Sequence, residues 1–325
     1  MEKKYIYYPF MVLAMTVALS SCDDFLDEMP DNRTELDTEA KITSMLVSAY
    51  PETNYALLAE MSSDNADDNG GPWTAYNKLQ EEAATWKDAT YKEEDSPYSL
   101  WNDCYKAIAA ANAALDAINT MGNPSSLDPQ RGEALLCRAY NHFVLVNIFS
   151  KAYSPKTSTT DLGIPYMTHL ETTVSPEYTR GTVAEVYEKI AADIEAGLPL
   201  LNDAIYSVPK YISDDVYTVP KYHFNKKAGY AFATRFYLYY VKDDKSNYDK
   251  AIQYATVVLT ENPTAMLRDW ATVGALSPNN SIRATAFINV SEKANLLLYS
   301  TSSSWGRIHG PYGLGEKYTH NDMIA

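Results

Sequence analysis

Cysteine is scarce: three in 325 residues, at positions 22, 104 and 137. So few thiols exclude a disulfide-stapled scaffold. The five histidines are scattered, and none stands at zinc-ligand spacing from a cysteine or glutamate. No HExxH, GxSxG or phosphate-loop pattern occurs, so no standard hydrolytic or nucleotide-binding motif is present. Basic residues are short too, 27 against 42 acidic, for a formal net charge of −15. That balance argues against nucleic acid and against electrostatic docking on anionic lipid. The uncharged run Tyr5 to Leu19 has fifteen residues, where a bilayer core of about 30 Å calls for about 20.

That run is nevertheless informative. Lys3 and Lys4 precede it, and Leu19-Ser20-Ser21-Cys22 follows it. A short basic start and an apolar stretch of secretory length make a signal peptide over residues 1–21. The closing tetrapeptide has an aliphatic residue, two small residues and a cysteine, and so resembles the lipobox of bacterial lipoproteins. Small residues let a peptidase bind the backbone closely; the thiol accepts a diacylglyceryl group. Cys22 is then the first mature residue and carries the lipid. Several acyl chains anchor a protein firmly where one alone holds marginally. Loss of Glu2, Lys3 and Lys4 makes the mature chain slightly more acidic still. The following DDFLDEMPDN is acidic and turn-rich, so residues 22–38 read as a solvated tether. Asp and Glu directly after the cysteine also resemble the surface-export signal of some Gram-negative lipoproteins; a plain acidic linker is the other reading.

With 46% apolar residues the remaining chain can bury a substantial core. Tyrosine is abundant, at 27 residues, and suits both amphipathic helices and sugar surfaces. Trp101, Tyr105, Ile108, Asn112, Leu115 and Ile118 recur at three- and four-residue steps, which predicts a helix from Leu100. The turn-rich MGNPSSLDP leads to a second helix at 133–149, apolar on nearly every side and therefore deep in the domain. Further helices are predicted at 183–201, 225–241 and 248–263, after which regular periodicity is lost. In the last of these, Tyr248, Ala251, Tyr254, Leu259 and Pro263 sit at the offsets of a tetratricopeptide second helix, with Pro263 expected to end it. The fold class expected is mostly all-α: antiparallel helix pairs with tetratricopeptide-like repeats plus irregular, loop-rich segments. The domain runs over residues 39–325.

Taken together, CDDFLDEMPDN after the lipobox, WNDCYKAIAAANAALDAI, RGEALLCRAYNHFVLVNIF, IAADIEAGLPLLND and YDKAIQYATVVL resemble the SusD/RagB family of outer-membrane lipoproteins. Arg131, Glu133, Arg138 and Tyr140 carry the most specific part of the likeness. The resemblance covers residues 22 to roughly 263. It implies a mostly helical, non-enzymatic protein, without cofactor, that captures a glycan or sometimes a peptide at the cell surface. It also implies a partner TonB-dependent barrel transporter that receives the bound material, with membrane attachment through the N-terminal lipid and no role for nucleic acid. Members of the family are usually much longer, so the chain reads as truncated at its C-terminal end. A glycoside hydrolase on a helical scaffold and a protein-binding helical-repeat adaptor are the competing functions. The carboxylates are too numerous for any one pair to argue for hydrolysis without geometry.

Sugar binders stack rings on aromatics and bond hydroxyls through amides and carboxylates. SSDNADDNGGPWTAYN, residues 62–77, holds both kinds in a Gly-Pro loop. Trp73 and Tyr76 are the candidate platform; Asn65, Asp67 and Asn69 are the candidate hydroxyl partners. A tryptophan packed over a helix end is the other reading of Trp73, and the favoured one for Trp86. Trp101 is assigned to the core, and His142 to a satisfied core position. Trp305, beside Arg307 and Tyr312, is a second candidate loop aromatic. Asn65, Asp67, Asn69 and Gly70 echo the start of an EF-hand loop, but Tyr76 stands where a bidentate Glu is needed, so no metal is assigned.

Overall fold

In the computed structural model, the described residues are 35–68, 70, 75, 77–171, 173, 176–207, 219–276, 280–304 and 318–320. Cys22 and the signal segment lie outside them. Thr38 opens the first helix, its hydroxyl accepting the Lys41 backbone N–H, and α1 (Glu39–Val47) buries Ile42, Thr43 and Leu46. Two short helices, α2 (Ala56–Met61) and α3 (Lys78–Ala84), flank strand β1 (Ala66–Asp68). Leu57, Met61 and Ala83 form a small apolar cluster there. With so few residues each, these helices show too little periodicity to stand out in the sequence.

The main stack matches the predicted helices, with shifted ends. α4 (Pro97–Thr120) starts at the Ser96 cap with Pro97 just inside, where a missing N–H costs nothing. The turn after it needs left-handed backbone at Gly122 (φ 85°) and Asn123 (φ 52°). α5 (Asp128–Phe149) begins five residues ahead of the sequence reading, because Pro129 serves its first turn rather than closing the loop. α6 (Val183–Gly197) carries a full capping box between Thr182 and Glu185 and gives way to a 3-10 turn at Leu198–Leu200. α5 and α6 touch backbone to backbone: a Cβ on Gly132 would sit 2.9 Å from the Gly197 carbonyl oxygen.

α7 (Lys226–Tyr239) and α8 (Ser246–Leu259) pack together as the expected helix pair. Ala251 and Tyr254 are buried as the repeat pattern requires, Tyr254 against Tyr237 at 5.7 Å between ring centroids. Tyr248 and Leu259, however, are exposed; Asn247 and Val258 complete the buried stripe instead. α8 also stops at Leu259, before Pro263. Thr260 takes a left-handed φ of 58°, and Pro263 opens a separate 3-10 turn. Beyond it, where no periodicity was read, lie two short helices, α9 (Trp270–Gly274) and α10 (Asn280–Phe287). The one sheet among the described residues pairs β1 with β2 (Tyr318–His320), antiparallel. All of these elements belong to one unit, Asp37–Ala325.

α5 runs through the interior, and several of its polar side chains are paired there. Arg138 makes two 2.7 Å bonds to the two Asp193 carboxylate oxygens and one of 3.0 Å to Asn112 Oδ1. Glu133 accepts from the Tyr50 hydroxyl at 2.6 Å and lies 2.9 Å from His223 Nδ1. Tyr140 meets Tyr299, hydroxyl to hydroxyl, at 2.9 Å, and Arg131 pairs with Asp128 at 2.6 Å. Of the four residues that carry the family likeness on α5, Glu133, Arg138 and Tyr140 tie it to distant segments, while the Arg131 pair lies within the helix. His142 is a satisfied core residue: its Nδ1 donates to the Arg138 carbonyl at 2.8 Å and its Nε2 accepts the Met167 N–H at 3.0 Å. Trp101 is half-buried against Tyr105 and Phe149.

Cys104 and Cys137 are both buried and unpaired. Burial pushes the Cys104 thiol up to about 12, and that of Cys137 well above its ordinary value. Neither should alkylate in the native protein. Both should alkylate once the chain is denatured without reductant; two protected thiols would contradict the geometry.

Candidate ligand-binding surface

Two loops carry the residues singled out for ligand contact, and the structure brings their anchors together. One loop leaves β1 at Asp68 and returns at Asn77, whose side chain caps α3 by accepting the Gln80 N–H at 2.9 Å. The other leaves at Ser304, which donates both its backbone N–H and its hydroxyl to Asp95 Oδ2 at 2.7 Å. It returns at β2, where Tyr318 pairs with Asp68, Thr319 with Asp67 and His320 with Ala66. Next to this, Thr53 bridges Ser302, and the Asn54 amide donates to Thr301 Oγ1 at 2.9 Å. The start of the first loop and the end of the second are thus held side by side, although some 250 residues separate them in sequence.

Asn65 and Asp67 lie on the rim of this arrangement. Asn65 is half-buried, its backbone N–H donating to Ser63 Oγ at 3.2 Å. Asp67 is exposed, with Oδ1 accepting the Asp68 N–H at 2.8 Å. Gly70 follows at φ 90°, a conformation at which only glycine is unstrained. Trp73, Tyr76, Asn69 and Trp305 lie outside the described residues. Among the described residues no group of three or more His, Cys, Asp or Glu side chains is placed to hold a metal ion.

Trp86 departs from its sequence reading. It is not packed over the end of α3: it is 79% exposed, on a turn where its own φ is 54°. A bulky residue in left-handed backbone is strained and persists only where its surroundings over-determine it. Glu82 supplies that constraint. Its Oε2 accepts the N–H groups of Thr90 and Tyr91 at 2.9 and 3.1 Å, and its Oε1 accepts the Thr90 hydroxyl at 2.5 Å. Lys78 pairs with the same carboxylate at 3.3 Å. The Thr90 hydroxyl is the main cause holding the Glu82 carboxyl down at about 2; burial opposes it, and the two N–H groups and Lys78 help. The Lys87 N–H closes the turn on the Glu82 carbonyl at 2.8 Å. Trp86 with Lys78, Glu81, Lys87 and Asp88 lines a groove of about 540 Å³. An aromatic face with carboxylates and ammonium groups around it suits a ligand with both CH faces and hydroxyls. The signal in the sequence was the polar company of Trp86, between Thr85, Lys87 and Asp88.

Sequence reasoning missed Trp270, which is 66% exposed at the start of α9 and tilted against Phe287 at 6.0 Å. Arg268 lies 3.8 Å over the Phe287 ring and 5.8 Å from that of Trp270. Trp270 begins a helix of only five residues, so no helical stripe marks it.

Comparison with known proteins places this helical domain further. Residues 24–238 match the model of a SusD-like family described as starch-binding and associating with outer membrane; the chain belongs to that family. A putative sugar-binding protein from Bacteroides vulgatus is 20% identical, with TM-score 0.54, over 81% of this chain and 53% of that one. A SusD superfamily protein from Bacteroides thetaiotaomicron is also 20% identical, with TM-score 0.51, over 70% and 46%. A laminarin-binding SusD-like protein is 21% identical, with TM-score 0.50, over 69% and 44%. At such identities the likeness is one of fold, and the chain spans about half the length of these solved structures. No curated protein matches it. The family and the mostly helical fold read from the sequence both hold.

Proposed function

We propose that this protein is a glycan-binding lipoprotein without catalytic activity. Cys22 anchors it by lipid to the outer membrane, facing the cell exterior. It captures an oligosaccharide or polysaccharide and passes it to a TonB-dependent barrel transporter. Trp86 carries the reading: an indole 79% exposed, on a strained turn fixed by a buried carboxylate, is more than solubility or packing asks for. Family membership and the names of the sugar-binding and laminarin-binding neighbours support the choice of ligand. The adjacent loop with Trp73, Tyr76 and Asn69, and the loop with Trp305, are proposed to extend the same surface.

A stacked ring is worth about 1–3 kcal/mol, with base–aromatic stacking as the guide. Trp86→Ala should therefore weaken glycan binding roughly tenfold to a hundredfold, since 1.4 kcal/mol is one decade. The melting temperature should hardly move, because an exposed indole supports no core. Trp73→Ala should behave alike. Calorimetric titration against laminarin and starch oligosaccharides, beside thermal melts, checks both. Unchanged affinity in both variants would remove the aromatic platform, and steady release of reducing ends by the purified protein would replace binding with hydrolysis.

A further inference from the structure

A second groove, of about 510 Å³, shares no lining residue with that of Trp86 and lies between the start of α7 and the turns near residues 262 and 295. Its volume falls within the roughly 300–1,000 Å³ of small-molecule clefts. Lys221, Lys227 and Lys293 line it, each from a different segment. Among the described residues none of the three forms an ion pair. Lys221 spends one proton on the Glu292 carbonyl at 2.7 Å. Burial, with Lys227's charge adding to it, holds the Lys221 ammonium below its ordinary value against the opposing pull of Glu292. The Glu292 carboxylate is itself engaged, 3.6 Å from Arg268 and accepting the Ala294 N–H at 3.0 Å. The carboxylate that lines the groove, Asp203, accepts the Lys226 N–H at 2.8 Å.

Helix polarity points the same way. Lys226 and Lys227 occupy the first turn of α7, which holds no acidic residue. That end of a helix favours anions and disfavours lysine. In a chain of net charge −15, three ammonium groups outside any ion pair outnumber the one carboxylate, Asp203, that sits at this helix start, and leave a local positive potential that a bound anion would relieve. Pro220, Met266 and Leu296 supply apolar wall in the same groove.

We propose that this groove binds an acidic saccharide, with a uronate carboxylate held among Lys221, Lys227 and Lys293 and the CH edge of its ring against Met266 and Leu296. The anion preference stands on the lysines alone; the choice of a saccharide to carry the anion rests on the glycan-binding reading above.

The test is calorimetric titration of the full chain with trigalacturonate, with its methyl ester, which keeps the rings and removes the charge, and with hexaglutamate. Trigalacturonate should bind, and the ester at least tenfold more weakly. Lys227→Gln and Lys293→Gln remove exposed ammonium groups, so melts should be unchanged. Each should weaken trigalacturonate about fivefold, near the upper end for an exposed ion pair. Trp86→Ala should leave this binding intact, which separates failure of the aromatic platform from failure of the groove. Equal affinity for acid and ester, full affinity in the double lysine variant, or no binding of trigalacturonate would overturn the proposal. Hexaglutamate binding where trigalacturonate does not would overturn the saccharide.

Discussion

Asp193→Ala should cost about 3–5 kcal/mol of stability, because it strips a buried guanidinium of its partner. The side chains of Arg138 and Asp193 are only 11% and 10% exposed, and the pair is bidentate. Burial pulls the Arg138 charge down, yet the bonds and charge of Asp193 outweigh it and leave the guanidinium above its ordinary value. With Asp193 gone, Arg138 keeps Asn112 Oδ1 and the Thr168 carbonyl but no counter-charge. Tyr166 also loses the acceptor for its hydroxyl, now 2.6 Å from Asp193. An Arg138→Met, Asp193→Leu double variant removes both charges and should lose less than the sum of the single changes. Urea unfolding of the three variants measures this. A loss under about 1 kcal/mol for Asp193→Ala would mean that water reaches the pair.

Acidification should destabilise the protein well before its carboxylates titrate, and His142 is the reason. Burial, the largest cause, pushes its imidazole down to about 3; the Arg138 carbonyl opposes this, while the charges of Arg138 and Lys189 add to it. In the unfolded chain the ring takes up a proton below about 6.5, but in the folded protein it stays neutral down to about 3. The unfolded state therefore binds more protons through that window, and stability falls as pH falls. The slope approaches about 1.4 kcal/mol per pH unit once pH is well under 6.5, for a total near 4–5 kcal/mol by pH 3. Below 4.5 the depressed Glu82 adds a loss of the same sign, present down to about 2. Urea midpoints between pH 7 and 4.5 separate the histidine window from that of the carboxylates. A His142→Gln protein should show a flatter profile there, and parallel profiles would show that the ring is protonated in place.

The candidate surface was legible only in part. Asparagine, aspartate and aromatic residues crowded into one Gly-Pro loop mark residues 62–77 without any structure. The exposure of Trp86 was not readable, because the neighbouring helix α3 offered an equally good place to pack it. What excludes that packing is Glu82, which spends its carboxylate on Thr90 and Tyr91 and so fixes the course of the turn. The repeat pattern on α8 shows the same limit. The offsets named Ala251 and Tyr254 correctly, yet Tyr248 and Leu259 face solvent because α8 is rotated to bury Asn247 and Val258. An offset rule fixes which residues share a face; it does not fix how that face meets its neighbour.

Whatever is encoded within a few turns of chain, the sequence determined alone. The stripe on α4 and the all-round apolar character of α5 need only neighbours three or four positions away. Other features depended on segments far apart in the chain. β1 meets β2 across some 250 residues, and Arg138 finds Asp193 on another helix. Lys221, Lys227 and Lys293 reach one groove from three segments. Such meetings have no local signal, because the backbone and solvation costs of bringing distant groups together are met by the whole core rather than by the residues that touch. The tertiary structure therefore decided which side chains are buried as pairs, which tryptophan stands in solvent, and where positive charge collects on an acidic protein.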